Sequence, residues 1–167
     1  MSGALRILGI DPSVRSTGYG VIECNGAGVR LVEAGVIATN GRQTFSERLG
    51  DINNSVADII RAMRPDVIAI EQVFARAVNP KTTIMMAHAR GALLAAAALA
   101  HVEVVEFSAT GVKRALAGSG AASKEQVGRM VAQLLHLSRV PRPADVTDAL
   151  AIALACANRR GVGRRLR

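Results

Sequence analysis

The sequence is poor in aromatic residues and in cysteine. Aromatics make up 2% of its 167 residues, tryptophan is absent, and only Cys24 and Cys156 carry a thiol. Neither cysteine belongs to a CxxC or Cys/His pattern, which excludes a disulfide framework and a thiolate metal site. We therefore expect two buried thiols in a reducing compartment.

Long apolar runs and targeting segments are also lacking. The longest apolar run, residues 91–100, has ten residues, too few to cross a bilayer, and we expect it to form a buried helix. The N-terminal residues run directly into a strand pattern, so no signal peptide is expected. These features predict a cytoplasmic protein with no membrane partner.

Acidic residues are outnumbered by basic ones. Lysine and arginine number 21 against 13 acids, a net charge of +8, and five arginines within the last nine residues leave +3 for the remainder. Such an excess favours a polyanionic partner. Because half of the residues are hydrophobic, the chain can bury a core of its own. We predict one domain over residues 1–158 and a basic, flexible tail over residues 159–167.

Hydrophobic periodicity and turn signals predict an α/β fold. Asn25 and Gly26 form a hairpin signal between two of the first three strands. The spacings from Thr44 to Glu47 and from Ser123 to Gln126 are typical of capping boxes at helix starts. We expect a mixed five-stranded sheet, in which three antiparallel strands continue into parallel β-α-β units, with helices on both faces. The predicted strands are 5–11, 18–24, 29–39, 66–71 and 102–107, and the predicted helices are 44–63, 82–100, 110–117, 123–135 and 143–158.

Four acids stand in settings that suit a metal site. Asp11 and Glu71 each end an apolar strand, and Asp145 and Asp148 share one face near the start of an apolar helix. If the two strands are neighbours and the helix covers their ends, the four carboxylates form one cluster suited to Mg²⁺ or Mn²⁺. Paired ions of this kind catalyse phosphodiester hydrolysis. The alternatives are a turn at Asp11, a solvated strand end at Glu71 and a helix-dipole role for the other two.

Basic and aromatic residues near these acids suit a nucleic acid. Phe74 could stack on a base while Arg76 and Lys81 contact phosphates, unless this segment is an ordinary surface loop. Lys113, Arg114 and Lys124 flank a glycine-rich segment at residues 118–120 that could approach a phosphate. The alternative for these three side chains is a solvated helix end.

Five motifs in order resemble the RuvC family of bacterial Holliday junction resolvases, within the RNase H-like superfamily. They are GIDPSVRSTGYGVI, AIEQVF, ARGALLAAA, VKRALAGSGAASKEQV and PADVTDALAIA, at residues 9–22, 69–74, 89–97, 112–127 and 143–153. The resemblance implies an RNase H-like fold and a structure-selective endonuclease. It also implies that four acids hold two Mg²⁺ ions per subunit, with Mn²⁺ as a substitute: Asp11, Glu71, Asp145 and Asp148.

The same resemblance implies the substrate and the partners. A symmetric homodimer would nick opposed strands of four-way junction DNA, leaving 5′-phosphate and 3′-hydroxyl ends, and would work with the RuvA–RuvB branch-migration complex. Lys113 and Lys124 would lie near the scissile phosphate, Lys124 assisting catalysis, and Phe74 would stack in the junction centre. The other classes considered are a YqgF-type RNA-processing nuclease, an actin-like nucleotide-binding module and a non-catalytic junction-binding scaffold.

Overall fold

A mixed five-stranded sheet lies at the centre of the chain. The computed structural model describes residues 3–73 and 79–162. The strand order is β3-β2-β1-β4-β5, with β1, β4 and β5 parallel and β2 and β3 antiparallel to their neighbours. The predicted mixed sheet is thereby confirmed. The strands are β1 Leu5–Asp11, β2 Ser16–Asn25, β3 Gly28–Ala38, β4 Val67–Glu71 and β5 Glu103–Phe107.

In the part of the chain that the structure describes, five helices connect and cover these strands. Both predicted capping boxes are present: Thr44 caps α1 with Glu47, and Ser123 caps α4 with Gln126. Each box satisfies backbone N–H groups that the first helical turn leaves without a partner, which is why these starts could be read from sequence. The helices are α1 Phe45–Met63, α2 Pro80–Leu99, α3 Ala109–Ala117, α4 Lys124–Leu134 and α5 Ala144–Arg159.

The strands place alternate side chains on the two faces of the sheet, and each face has its own core. Ile7 and Ile22 pack with α3, α4 and α5 on one face. Leu8, Ile10 and Ile68 pack with α1 and α2 on the other. Successive strand residues point to opposite faces, so both faces can be apolar. The prediction of helices on both faces is confirmed.

Helix α2 differs from its prediction as a buried helix. Only one stripe of it is buried, including Leu93 and Ala97, whereas Ile84 and Leu99 are 57% and 80% exposed. The helix begins at Pro80, so it also includes apolar residues that precede the run at residues 91–100. By length and composition alone this helix could cross a bilayer, since its mean hydropathy is 1.3. Core helices of soluble proteins meet the same criterion. Its exposure has a simple cause: α1 and the sheet cover one side of the helix and no described element covers the other.

Helix α5 crosses the sheet at very short range. A Cβ atom on Gly9 would lie 2.1 Å from the carbonyl oxygen of Ala149, and one on Gly18 would lie 2.0 Å from that of Asp145. Only glycine at these two strand positions lets the helix backbone approach so closely. The fit sets the N-terminal turns of α5 against the ends of β1 and β2.

The C-terminal end of α5 is attached to β5. The Arg159 guanidinium lies 4.4 Å from the centroid of the Phe107 ring, and Arg160 Nη2 lies 2.6 Å from Glu103 Oε1. These two arginines, which we assigned to the basic tail, therefore contact the domain. Residues 163–167 lie outside the described ranges, and the division into domain and flexible tail stays a prediction.

Candidate active site

Three carboxylates converge at the edge of the sheet where the parallel strands end. The parallel register of β1 and β4 pairs Ile10 with Ile70, which places Asp11 beside Glu71. Helix α5 adds Asp148, and the three side chains line one cavity of about 270 Å³. The neighbouring strands and covering helix on which the predicted cluster depended are both present. The remaining lining is basic or apolar: Lys113, Lys124, Ala109, Val112, Val127, Ala151 and Ile152.

Burial and mutual repulsion hold a proton on this cluster. Burial, followed by the charges of Glu71 and Asp148, raises the pKa of Asp11 to about 8. Burial also raises the pKa of Glu71, while its hydrogen bond with Asp11 acts in the opposite direction. Protonated Asp11 therefore donates to the Glu71 carboxylate. Crowded carboxylates gain stability when a cation enters among them.

Lys124 supplies a positive charge directly at the cluster. Its Nζ atom donates to Asp148 Oδ2 at 3.1 Å, across 24 residues of sequence. This hydrogen bond, together with the charge of Asp148, raises the pKa of Lys124. The lysine is therefore a cation at neutral pH and faces the same cavity as Lys113. Both lysines predicted near the site lie on its wall.

Asp145 is positioned differently from the other three acids. Its carboxylate accepts a hydrogen bond from Ser16 Oγ at 2.6 Å, and it does not line the cavity described above. It is still close enough for its charge to contribute to the raised pKa of Asp11. We did not predict Ser16, since no local pattern links two residues that are 129 positions apart. The nearby glycines of β1 and β2 were the available signal that a helix backbone passes there.

The donor set fits a hard divalent cation, although each of its carboxylates already has a hydrogen-bond partner. Within residues 3–73 and 79–162, no three histidine, cysteine or acidic side chains are arranged as a ready set of metal ligands. Asp11 bonds to Glu71, Asp148 to Lys124 and Asp145 to Ser16. Buried carboxylate oxygens are nevertheless the ligands that Mg²⁺ and Mn²⁺ prefer.

The other predicted contact residues are spread more widely. Lys81 is exposed in the first turn of α2, away from the cavity. Arg114 lines a second cavity on the other side of α3. Phe74 and Arg76 lie outside the described residues, so their predicted contacts stay predictions. Cys24 and Cys156 are buried free thiols, as predicted.

Comparison with known proteins gives a consistent family match. The model of the family "Crossover junction endodeoxyribonuclease RuvC" matches residues 7–156. A relative of that name from Nitrosomonas eutropha is 43% identical over 155 residues, which cover 93% of this chain and 85% of the relative.

Two solved structures from Thermus thermophilus are similar throughout. RuvC from that organism has a TM-score of 0.88 at 36% identity, covering 95% of this chain and 97% of its own. The same protein in complex with Holliday junction substrate has a TM-score of 0.83 at 34% identity, covering 97% and 96%. The residues matched by the family model, 7–156, include the strand ends and the helix that carry the four acids.

Proposed function

Because this chain belongs to the RuvC family of crossover junction endodeoxyribonucleases, as the motifs indicated, we propose that it resolves Holliday junctions by nicking opposed strands. The observation that supports this most directly is the cavity in which Asp11, Glu71 and Asp148 meet Lys113 and Lys124. Acids for a metal and cations for a phosphate lie there in one place, which suits phosphodiester hydrolysis.

We infer that Asp11, Glu71, Asp145 and Asp148 hold two Mg²⁺ ions per subunit, with Mn²⁺ as a substitute. Bound at such acids, the ions activate water and stabilise the negative charge that develops on a phosphodiester in the transition state. With a cation held there, the ionised form of Asp11 would be favoured and Asp11 would release the proton that it donates to Glu71. The hydrogen bond from Ser16 then fixes the orientation of Asp145.

The lysines act on the substrate. With its charge beside Asp148, Lys124 stabilises the phosphate as negative charge builds up during attack by water. Water adds to phosphorus and the bond to the 3′ oxygen breaks, leaving a 5′-phosphate and a protonated 3′-hydroxyl. Lys113, which lines the same cavity, holds a phosphate oxygen. We expect Lys81, Arg76 and Phe74 to contact the junction arms and centre.

Symmetric cutting requires two such sites, so we propose a homodimer. The exposed stripe of α2, with Ile84 and Leu99 at its ends, is an apolar surface available for a second copy. Large exposed apolar side chains on one helix are typical of protein–protein interfaces. We further propose that the dimer acts in the cytoplasm, together with the RuvA–RuvB complex, on junctions formed in recombination and repair.

The test is cleavage of a mobile four-way junction, a matched linear duplex and a structured RNA, each with and without Mg²⁺. We expect paired, ligatable nicks in the junction alone and only with the metal. Cleavage of RNA in preference would favour a YqgF-type nuclease, and binding of the junction without cleavage would favour a scaffold. Either result would overturn the proposal.

A further inference from the structure

A second cavity, of about 530 Å³, adjoins the candidate active site. It lies between β5, α3 and the last turns of α5. Consecutive residues line the two cavities: Glu71 the first and Gln72 the second, and likewise Lys113 and Arg114. Because neighbouring Cα atoms are only about 3.8 Å apart, a ligand lying across the end of β4 and α3 reaches both.

The second cavity carries positive charge that the described residues do not neutralise. Arg114 is exposed, and within residues 3–73 and 79–162 its guanidinium makes no hydrogen bond or ion pair. Arg159 stacks on the Phe107 ring, which holds its guanidinium in place without cancelling its charge. The one acid in the lining, Glu106, is paired with Arg90. The cavity therefore presents two uncompensated guanidinium groups.

Planar guanidinium groups suit phosphate oxygens, to which they donate two parallel hydrogen bonds. Gln72 and Asn158 add neutral amide groups to the same lining. The Asn158 side chain already donates a hydrogen bond to the backbone carbonyl oxygen of Ala115 at 2.9 Å, and this contact with α3 orients it. Contacts hold Arg159 and Asn158 in place, Arg114 adds an unpaired charge, and an anion entering the cavity displaces no existing ion pair of either arginine.

We propose that this cavity is a second phosphate site, in which Arg114 and Arg159 bind the DNA backbone next to the scissile phosphate. The inference rests on the proposed function, because the active-site cavity has to hold the cut linkage. Helix α3 then separates two adjacent contacts, with Lys113 on the reacting phosphate and Arg114 on a flanking one. The flanking contact fixes the register of the strand and takes no part in the chemistry.

The salt dependence of junction binding tests the proposal. Each neutralised phosphate contributes about 0.9 to the slope of log affinity against log salt concentration. In a dimer that binds one junction, the double variant Arg114→Gln/Arg159→Gln removes two such contacts per subunit and four in all, so its slope should be shallower by about 3.6. If loss of the ring contact affects folding, Arg159→Lys is the second variant to measure. It keeps the positive charge and should keep nearly the wild-type slope. The matched control is Arg61→Gln on the opposite face of the sheet, where Arg61 is already paired with Asp58.

Neutral methylphosphonate linkages beside the cut locate the contact. Wild-type protein should lose affinity when a flanking linkage is neutral, and the double variant should lose nothing further. A double-variant slope equal to that of the Arg61→Gln control would overturn the second site. Junction nicking by the wild-type protein is measured separately, so failure of the proposed function is distinguishable from failure of this inference.

Discussion

Asp11 carries a proton that its unfolded form would release. An acid whose pKa is raised by folding does not lower the free energy of unfolding at pH values below its unfolded pKa, near 3.8 for Asp11. Above that pH it destabilises the fold progressively, up to about pH 8. Without a divalent metal, the free energy of unfolding should therefore fall between pH 4 and pH 8. Added Mg²⁺ should restore part of the loss, because the cation stabilises the ionised form.

Asp11→Asn separates this cost from catalysis. We expect nicking to be abolished while junction binding persists, and the metal-free variant to be more stable than wild type at pH 8, because asparagine has no charge to bury among the other acids. Urea unfolding in EDTA at pH 5 and pH 8, beside a nicking assay, measures both. An equal pH dependence in the two proteins would contradict the burial argument.

The positive charge of Lys124 has two roles in the proposed site: it pairs with Asp148 and it stabilises the phosphate. Lys124→Gln should lower the single-turnover nicking rate by about 10²–10³-fold, the usual loss when one group stabilising the transition state is removed. Junction affinity should change far less. Lys124→Arg, which keeps the charge, should recover part of the rate. A Gln variant that loses affinity but keeps its rate would place Lys124 in binding alone.

At the scale of elements, the site depends on how closely α5 lies on β1 and β2. Gly18→Ala would place a Cβ 2.0 Å from the carbonyl oxygen of Asp145, so we expect a loss of about 1–3 kcal/mol and a sharp fall in nicking. Gly50→Ala is the matched control, in a helix with nothing within 4 Å. It should stabilise by up to about 1 kcal/mol. Urea unfolding of both variants checks the difference.

Elements whose causes are local were predictable, and contacts between distant elements were not. The capping boxes at Thr44 and Ser123 and the strand ending at Asp11 follow from neighbouring residues. The Ser16–Asp145 hydrogen bond joins residues that only the packing of α5 brings together. The exposure of α2 depends on which surfaces cover it, and composition alone does not contain that information.

At the scale of the whole molecule, the exposed stripe of α2 is the surface on which we expect two chains to meet. Ile84→Glu places a charge there and should shift the protein from dimer to monomer. Gln133→Glu adds the same charge at an exposed position of α4, on the opposite face of the sheet, and should leave the dimer intact. Light scattering over a concentration series distinguishes them. Two variants that dimerise equally well would exclude this face.

In our proposal, acids that lie far apart in the sequence form a single site for divalent metal. Counting Mn²⁺ bound per chain, from the electron paramagnetic resonance of the free ion and with uncleavable junction present, tests it directly. We predict two ions for the wild-type protein and fewer for both Asp11→Asn and Asp148→Asn. Unchanged counts in both variants would show that these acids do not hold the metal.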